Sequence, residues 1–230
     1  MLKIKKLSIA ISVTVSILMC NINTVASASY NPNSAVNYAL RWAGERANDS
    51  RYYNPNYVAQ SNDCSNFVSQ CLHAGGVPFY ISNASKIVAN NTSGCSSIRG
   101  SEWYYIKNKW GGATWSSTWT RVDKPDGISI TGGLRQYFGN DESDHFTHLL
   151  ETTFKSDTYK KVKKGDVILI KASYGDRYSH AVIVSSVKNG EIYYCGHTNN
   201  VCGEKSGDKG KLSKNVPIGR ELIIFTPDTD

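Results

Sequence analysis

Cys64 is the residue of this sequence best placed to act as a nucleophile. It lies in the run Asp63-Cys64-Ser65-Asn66, where a polar loop leads into a predicted helix. Free backbone N–H groups and the positive end of the helix dipole stabilise a thiolate at such a position, so we expect a lowered pKa for this thiol. The same amides can stabilise the oxyanion that forms when a thiolate attacks a carbonyl. The pattern predicts a catalytic cysteine, although a cysteine in an amphipathic helix is otherwise simply a small buried apolar residue.

A nucleophilic cysteine needs a base, and the five histidines of the chain differ in how well they could serve. His73 lies about two and a half turns along the same predicted helix, which is too far from Cys64. His145 and His148 fall in a polar segment without a strong pattern. His180 opens an apolar predicted strand of sequence SHAVIV, where a rigid backbone would hold its ring. We therefore predict that His180 is the base.

A predicted hairpin brings two further candidates beside this base. Asn189-Gly190 suits the positive φ values of a two-residue type I′ turn, so residue 188 should face residue 191. Continuing that register brings Asn199 opposite His180 and His197 opposite Val182. Because side chains alternate along a strand, His180, His197 and Asn199 are all expected on one face. Either His197 or Asn199 could then orient the His180 imidazole, as the third group of a catalytic cysteine–histidine pair does.

The elements that would position these residues change character along the chain. Helices are predicted over residues 34–47, and from a cap at Asn62 or Asp63 to a stop at Gly75. Residues 77–150 are rich in tryptophan and tyrosine and largely irregular in pattern. Four strands are then predicted, at residues 167–172, 179–187, 191–198 and 221–225. Helices followed by an antiparallel sheet indicate an α+β fold, and the absence of a repeat or linker favours one domain over residues 29–230.

The first 28 residues have the features of an export signal. A lysine-rich start is followed by an apolar stretch of roughly 13 residues, shorter than the ~20 that span a membrane, and by Ala26-Ser27-Ala28. This order predicts a signal peptide at residues 1–28, cleaved after Ala28, and a secreted or cell-wall-associated protein without an integral membrane segment. Its removal lowers the formal charge from +7 to +4, leaving 23 basic and 19 acidic residues. Such a mild charge argues against nucleic-acid binding.

Cleavage would also remove Cys20 and leave five cysteines. An odd number in an exported protein indicates one unpaired thiol, for which Cys64 is the candidate. The others could form disulfides as Cys195–Cys202 and Cys71–Cys95, although four cysteines allow three connectivities. A zinc site built on Cys195, His197 and Cys202 is an alternative, but the spacing matches no common structural site. The predicted chemistry itself calls for neither a metal nor another cofactor.

The motifs around these residues resemble those of a known family. Residues 63–76, DCSNFVSQCLHAGG, resemble the signature of the bacterial "putative amidase domain" family, which is similar to the NlpC-type and CHAP-type papain-like cysteine hydrolases. Tyr30-Asn31-Pro32, Gly165-Asp166-Val167-Ile168, the SHAVIV strand and His197-Thr198 extend the resemblance over most of the chain. Tryptophan is common before the strand histidine in the family, whereas Tyr178-Ser179 stands here, which could alter the lining of the site.

The resemblance implies a fold, a set of site residues and a substrate class. It implies a circularly permuted papain-like core, with the cysteine helix packed on an antiparallel sheet, and it implies Cys64 as nucleophile, His180 as base and His197 as the third polar residue. Members are taken to cleave amide bonds, commonly in cell-wall peptides. We therefore expect a monomeric, exported cysteine amidohydrolase acting on peptidoglycan. The alternatives are a non-catalytic wall-binding module on the same fold and a secreted protease or toxin acting on proteins.

Overall fold

The computed structural model describes residues 29–44, 50–82, 93–107, 111–124, 132–139 and 146–228. The signal peptide predicted at residues 1–28 lies outside the described residues, as do His145 and the side chain of His148. In the ranges that are described, no helix is long and apolar enough to cross a membrane.

Two helices form the first part of the fold. Helix α1 (Pro32–Trp42) begins at Asn31, whose side chain accepts a hydrogen bond from the Ser34 amide at 3.0 Å, and proline occupies its first position. It therefore starts earlier and ends earlier than the predicted span of 34–47. Helix α2 (Cys64–Ala74) ends at Gly75 as predicted. Its first nine residues are all buried, so α2 is the central helix of the molecule.

The strands form two sheets. A small sheet of order β1-β3-β2 and a six-stranded, fully antiparallel sheet of order β4-β9-β5-β6-β7-β8 make an α+β fold. The bounds are β1 Gly94–Ser97, β2 Tyr105–Lys107, β3 Ala113–Ser116, β4 Phe146–Thr153, β5 Val167–Lys171, β6 Tyr178–Lys188, β7 Glu191–Gly196, β8 Val201–Cys202 and β9 Glu221–Pro227. The four predicted strands are confirmed as β5, β6, β7 and β9. The expectation of an irregular middle was wrong, because β1 to β4 all lie within residues 77–153.

Short helices complete the architecture. Helix α3 (Ser117–Thr120) continues directly from β3, α4 (Leu134–Phe138) packs beside it, and α5 (Leu212–Asn215) lies against β7. Within the described ranges, three further segments form 3₁₀-helices, at Ser50–Tyr52, Thr158–Lys161 and Gly203–Gly210.

The six-stranded sheet separates two apolar clusters, because alternate side chains of its strands point to opposite faces. Ala181, Ile183 and Cys195 face the larger cluster, which contains α1, α2 and the aromatic residues of the small sheet. Val182 and Val184 face the smaller cluster together with residues of β7, α5 and β9. Helix α2 therefore packs on one face of β6, and this packing brings Cys64 to the strand that carries His180.

The hairpin between β6 and β7 has the predicted turn but not the predicted register. Asn189 and Gly190 have φ values of 53° and 78°, as a type I′ turn requires, and Lys188 pairs with Glu191. A bulge at Ser185 then shifts the pairing by one residue, so that Ile183 faces Cys195. The expected pairing of His180 with Asn199 and of Val182 with His197 is therefore wrong.

The turn generates a stability prediction. Gly190→Ala should lower the free energy of unfolding by about 1 kcal/mol, because an alanine at positive φ brings its Cβ too close to the backbone. The site has room, since the nearest atom to an added Cβ would be a Tyr159 ring carbon at 3.6 Å. Urea unfolding of Gly190→Ala and of the unchanged protein measures the effect.

Gly94→Ala is the matched control. Gly94 begins β1 without a positive φ, and an added Cβ would meet nothing within 4 Å. Its stability should be unchanged or slightly higher. Equal losses in the two variants would show that the turn conformation is not the cause.

Candidate active site

Cys64 is the first residue of α2, and its side chain is buried against β6. Only 4% of the residue is exposed. Burial raises the pKa of the Cys64 thiol, hydrogen bonding from the backbone of Ala181 and Ser65 opposes that effect, and the neighbouring Asp63 carboxylate adds to it. The lowered pKa expected from the helix position is therefore wrong, since loss of solvation outweighs the helix amides.

A polar cavity of about 500 Å³ opens beside the thiol. We call it the Cys64 pocket. Its walls come from the loop before α2, the segment that follows α3 and the start of β6, and its lining residues are Gln60, Ser61, Asn62, Cys64, Thr120, Arg121, Val122, Asp123, Arg177, Tyr178 and Ser179. The Cys64 side chain therefore borders an open, polar cavity.

The Cys64 thiol contacts β6 at the backbone of Ala181, and His180 is the residue directly before it. His180 pairs with Ile170 of β5 and so belongs to the face of Val182, whereas Cys64 meets β6 from the α2 side. Its Nε2 would lie 3.9 Å from a Cβ placed on Gly196, so the absence of a side chain there leaves room for the ring. Burial lowers the pKa of His180 to about 4, which keeps the imidazole neutral at pH 7.

The structure brings Cys64 and His180 to neighbouring points of β6 but does not join their side chains. Within the described residues, no hydrogen bond links the thiol to the imidazole. The ladder between β6 and β7 ends at Ile183 and Cys195, so β6 lacks a paired strand on that side at Ala181, where the thiol docks.

His197 lies just beyond β7 and is bonded to residues other than His180. Its Nδ1 lies 2.5 Å from Oδ2 of Asp63, and its Nε2 lies 2.9 Å from the carbonyl oxygen of Trp42. The ring stacks on Phe67 at 4.0 Å between centroids, with Tyr53 on another side at 4.8 Å. Both ring nitrogens are therefore occupied, and neither is available to orient His180 in this state.

Asn199, the other candidate for the third position, is exposed in the turn after β7. Within the part of the chain that the structure describes, no hydrogen bond joins it to the His180 ring. The bulge at Ser185 explains this outcome, because it moves the residues after β7 out of the register that placed them opposite His180.

Asp63 is the site residue that sequence reasoning missed, because its position before a helix marks it only as a cap. Its side chain makes no capping bond. Oδ1 instead accepts hydrogen bonds from the Gln60 amide and from Asn66 Nδ2, both at 2.8 Å, and Oδ2 contacts His197. Trp119 Nε1 donates to Asn66 Oδ1 at 2.8 Å, which extends the buried network to α3. An acidic residue directly before a candidate nucleophile is the signal that could have indicated this role.

One wall of the Cys64 pocket is bonded directly to α2. The Ser65 hydroxyl donates to the carbonyl oxygen of Arg121 at 2.8 Å, and the Ser69 hydroxyl donates to that of Trp119 at 2.9 Å. Asp123 accepts a hydrogen bond from the Tyr178 amide at 3.1 Å and so links the same segment to β6. The backbone around the pocket is thereby fixed to the elements that carry Cys64 and His180.

The remaining cysteines are free thiols in this structure. Cys195 and Cys202 lie directly opposite each other on β7 and β8, and the hydrogen bond between them, with burial, raises the pKa of Cys195 well above its ordinary value. Cys71 is buried near Cys195, whereas the exposed Cys95 contacts the Ser97 carbonyl. The geometry thus fits the predicted Cys195–Cys202 pairing better than Cys71–Cys95. Among the described residues, no group of three or more metal-binding side chains is found.

The buried contact between Asp63 and His197 generates a second prediction. Both residues are 2% exposed, so His197→Ala would leave the Asp63 carboxylate buried without its partner. We expect a loss of about 3–5 kcal/mol in the free energy of unfolding, measured by urea denaturation.

Lys188→Ala is the control for a salt bridge at the surface. Lys188 and Glu204 are 3.0 Å apart and both exposed, so breaking this pair should leave the unfolding midpoint almost unchanged. If His197→Ala changed the unfolding midpoint as little as Lys188→Ala does, the inference that Asp63 depends on its buried contact with His197 would be contradicted.

Comparison with known proteins places this chain in a family. Residues 29–215 match the family described as "Putative amidase domain". Over 163 residues the chain is 28% identical to the uncharacterized protein YhbB of Bacillus subtilis (strain 168), a match that covers 71% of this chain and 39% of that protein. The chain thus spans about two fifths of the length of this relative. No solved structure matches the chain.

The family match covers most of the chain, including the helix of Cys64 and the strand of His180. The chain therefore belongs to this amidase domain family, whose description points to the hydrolysis of amide bonds.

Proposed function

We propose that this protein is an exported, cysteine-dependent amidohydrolase that cleaves amide bonds in the stem peptides of peptidoglycan. The observation that carries the proposal is the position of Cys64, which begins a buried helix, lines an open polar pocket and docks on β6 next to His180. A cysteine helix packed on an antiparallel sheet also fits a papain-like core of the NlpC type. The export signal expected at residues 1–28 would bring the protein to its substrate.

The first step is proton transfer and attack. This step requires the neutral His180 imidazole, which belongs to the opposite face of β6, to turn toward Cys64 across the open edge of that strand before it accepts the thiol proton. The sulfur then forms a bond to the carbonyl carbon of the substrate, whose oxygen becomes negatively charged. Backbone N–H groups at the start of α2 stabilise this oxyanion, because they lack helical acceptors.

The later steps return the site to its starting state. The carbon–nitrogen bond breaks, and the leaving amine takes the proton from the His180 imidazolium. Water then gives a proton to His180 while its oxygen attacks the thioester, and the carbon–sulfur bond breaks. The thiolate of Cys64 recovers that proton, and a carboxylic acid leaves. The cycle consumes one water molecule and one amide bond and requires no group beyond these side chains.

His197 acts in this proposal as a positioning residue. Its contact with Asp63 fixes the residue that directly precedes the nucleophile, and its contact with the Trp42 carbonyl ties that point to the end of α1. This differs from the role implied by resemblance, in which His197 would orient the base. The difference matters for tests, because loss of His197 should lower stability together with activity.

Digestion of purified peptidoglycan tests the activity. The protein without residues 1–28 should release fragments with new amino termini if it is an endopeptidase, or free lactyl-linked peptides if it cleaves the muramoyl–alanine amide. Cys64→Ala should release nothing detectable by mass spectrometry. Cys95→Ala, which removes an exposed thiol outside the pocket, should release the same fragments as the unchanged protein.

Two outcomes would contradict the proposal. Binding to the wall without release, unaffected by Cys64→Ala, would favour a non-catalytic binding module. Cleavage of protein substrates in preference to wall peptides would favour a secreted protease.

The pH dependence of Cys64 alkylation tests the pairing with His180. In the unchanged protein, the rate with iodoacetamide should rise through about pH 4, because His180 must lose its proton before it can accept one from the thiol. A second rise should follow above pH 9, where the buried thiol itself ionises. His180→Ala should abolish the first rise and lower the rate at pH 7 by roughly 10²–10⁴-fold.

Cys95 serves as the internal control, since peptide mapping by mass spectrometry reports both cysteines in the same sample. Its alkylation should be the same in the two proteins. Identical Cys64 profiles with and without His180 would exclude the pair.

A further inference from the structure

Positively charged residues outnumber negatively charged ones in the lining of the Cys64 pocket. Among its described lining residues, the charged ones are Arg121, Arg177 and Asp123. Both arginines are exposed, whereas Asp123 is buried. The first belongs to the segment after α3, and the second immediately precedes β6.

Asp123 does not neutralise these two arginines. Its carboxylate contacts Arg135 Nη1 at 3.1 Å and Gln136 Nε2 at 2.5 Å, and it accepts hydrogen bonds from the amides of Tyr178 and Lys124. Burial opposes its ionisation, but these hydrogen bonds outweigh burial and lower the pKa of Asp123. Its charge is therefore balanced by Arg135, which is not a lining residue of the pocket.

The two pocket arginines remain available to a ligand. Within the described ranges, neither Arg121 nor Arg177 forms an ion pair. The backbone of Arg121 is nevertheless fixed, because its carbonyl accepts the hydrogen bond from Ser65 of α2. A planar guanidinium group matches the two oxygens of a carboxylate, and two such groups facing one cavity favour an anionic ligand.

We infer that Arg121 and Arg177 form a carboxylate-binding subsite, so that the substrate carries a free carboxylate close to the amide bond that Cys64 attacks. This inference rests on the proposed function and narrows its substrate class. Peptides with an acidic residue, or with a terminal carboxylate, next to the cleaved bond meet this requirement. An uncharged amide of the same size should be a poorer substrate.

Alkylation of Cys64 by two matched reagents tests the subsite without a substrate. Iodoacetate and iodoacetamide differ only in a carboxylate and an amide, and mass spectrometry measures the rate of each at Cys64. Because both attack the same thiol, the ratio of the two rates cancels any change in thiol reactivity and reports the preference for negative charge.

The ratio of the iodoacetate rate to the iodoacetamide rate should fall roughly fivefold in the single variant Arg121→Gln and by a similar factor in the single variant Arg177→Gln. This is the factor given by two unit charges about 4 Å apart in water. Arg121→Lys should retain most of the ratio, since it keeps the charge. Lys205→Gln, which removes an exposed positive charge outside the pocket, should leave the ratio unchanged. Raising the salt concentration to about 1 M should lower the ratio of the unchanged protein, because the Debye length falls to about 3 Å.

The outcomes separate this inference from the proposed function. A ratio that is the same in the unchanged protein and in the double variant would overturn the subsite while leaving the reactivity of Cys64 in place. Failure of both reagents to modify Cys64 in the unchanged protein would overturn the proposed function itself.

Discussion

The buried contact between Asp63 and His197 determines where Cys64, the proposed nucleophile, lies. Asp63 is covalently joined to Cys64, so whatever fixes its carboxylate also fixes the thiol. His197 brings three elements to that point: it follows β7, it contacts the start of α2 through Asp63, and it contacts the end of α1 through the Trp42 carbonyl. Since a carbonyl only accepts hydrogen bonds, Nε2 of His197 donates to Trp42, and Nδ1 faces the Asp63 carboxylate.

Burial acts on Cys64 and His180 in the same direction, toward the neutral form of each. It raises the pKa of the thiol and lowers that of the imidazole. A resting pair of thiol and imidazole follows, rather than a thiolate and an imidazolium. Because the thiolate is the reactive species toward both carbonyls and oxidants, the proposed mechanism forms its nucleophile only when a proton passes from Cys64 to His180.

The features predicted correctly from sequence are those with a local physical signal. The Asn189-Gly190 turn was predictable because few residues tolerate two successive positive φ values, and the end of α2 because Gly75 stops it. The bulge at Ser185 has no such signal. The Ser185 side chain lies against Gly203, which is distant in sequence, since a Cβ on Gly203 would come within 2.6 Å of the Ser185 hydroxyl oxygen. Strand β3 was missed because all four of its residues are buried and show no alternation. Strands β1 and β2 are only four and three residues long, too short for a clear period-2 pattern.

The hydrogen bond from Ser65 to the Arg121 carbonyl has a consequence for how specificity can change. It makes the pocket wall and the nucleophile parts of one rigid unit, since Ser65 follows Cys64 directly. The bond uses only the backbone of Arg121, whose side chain is exposed, as is that of Arg177. Related chains could therefore exchange these two side chains, and with them the charge of the preferred ligand, without moving the backbone that carries the chemistry. Relatives that prefer different substrates would then have nearly the same fold.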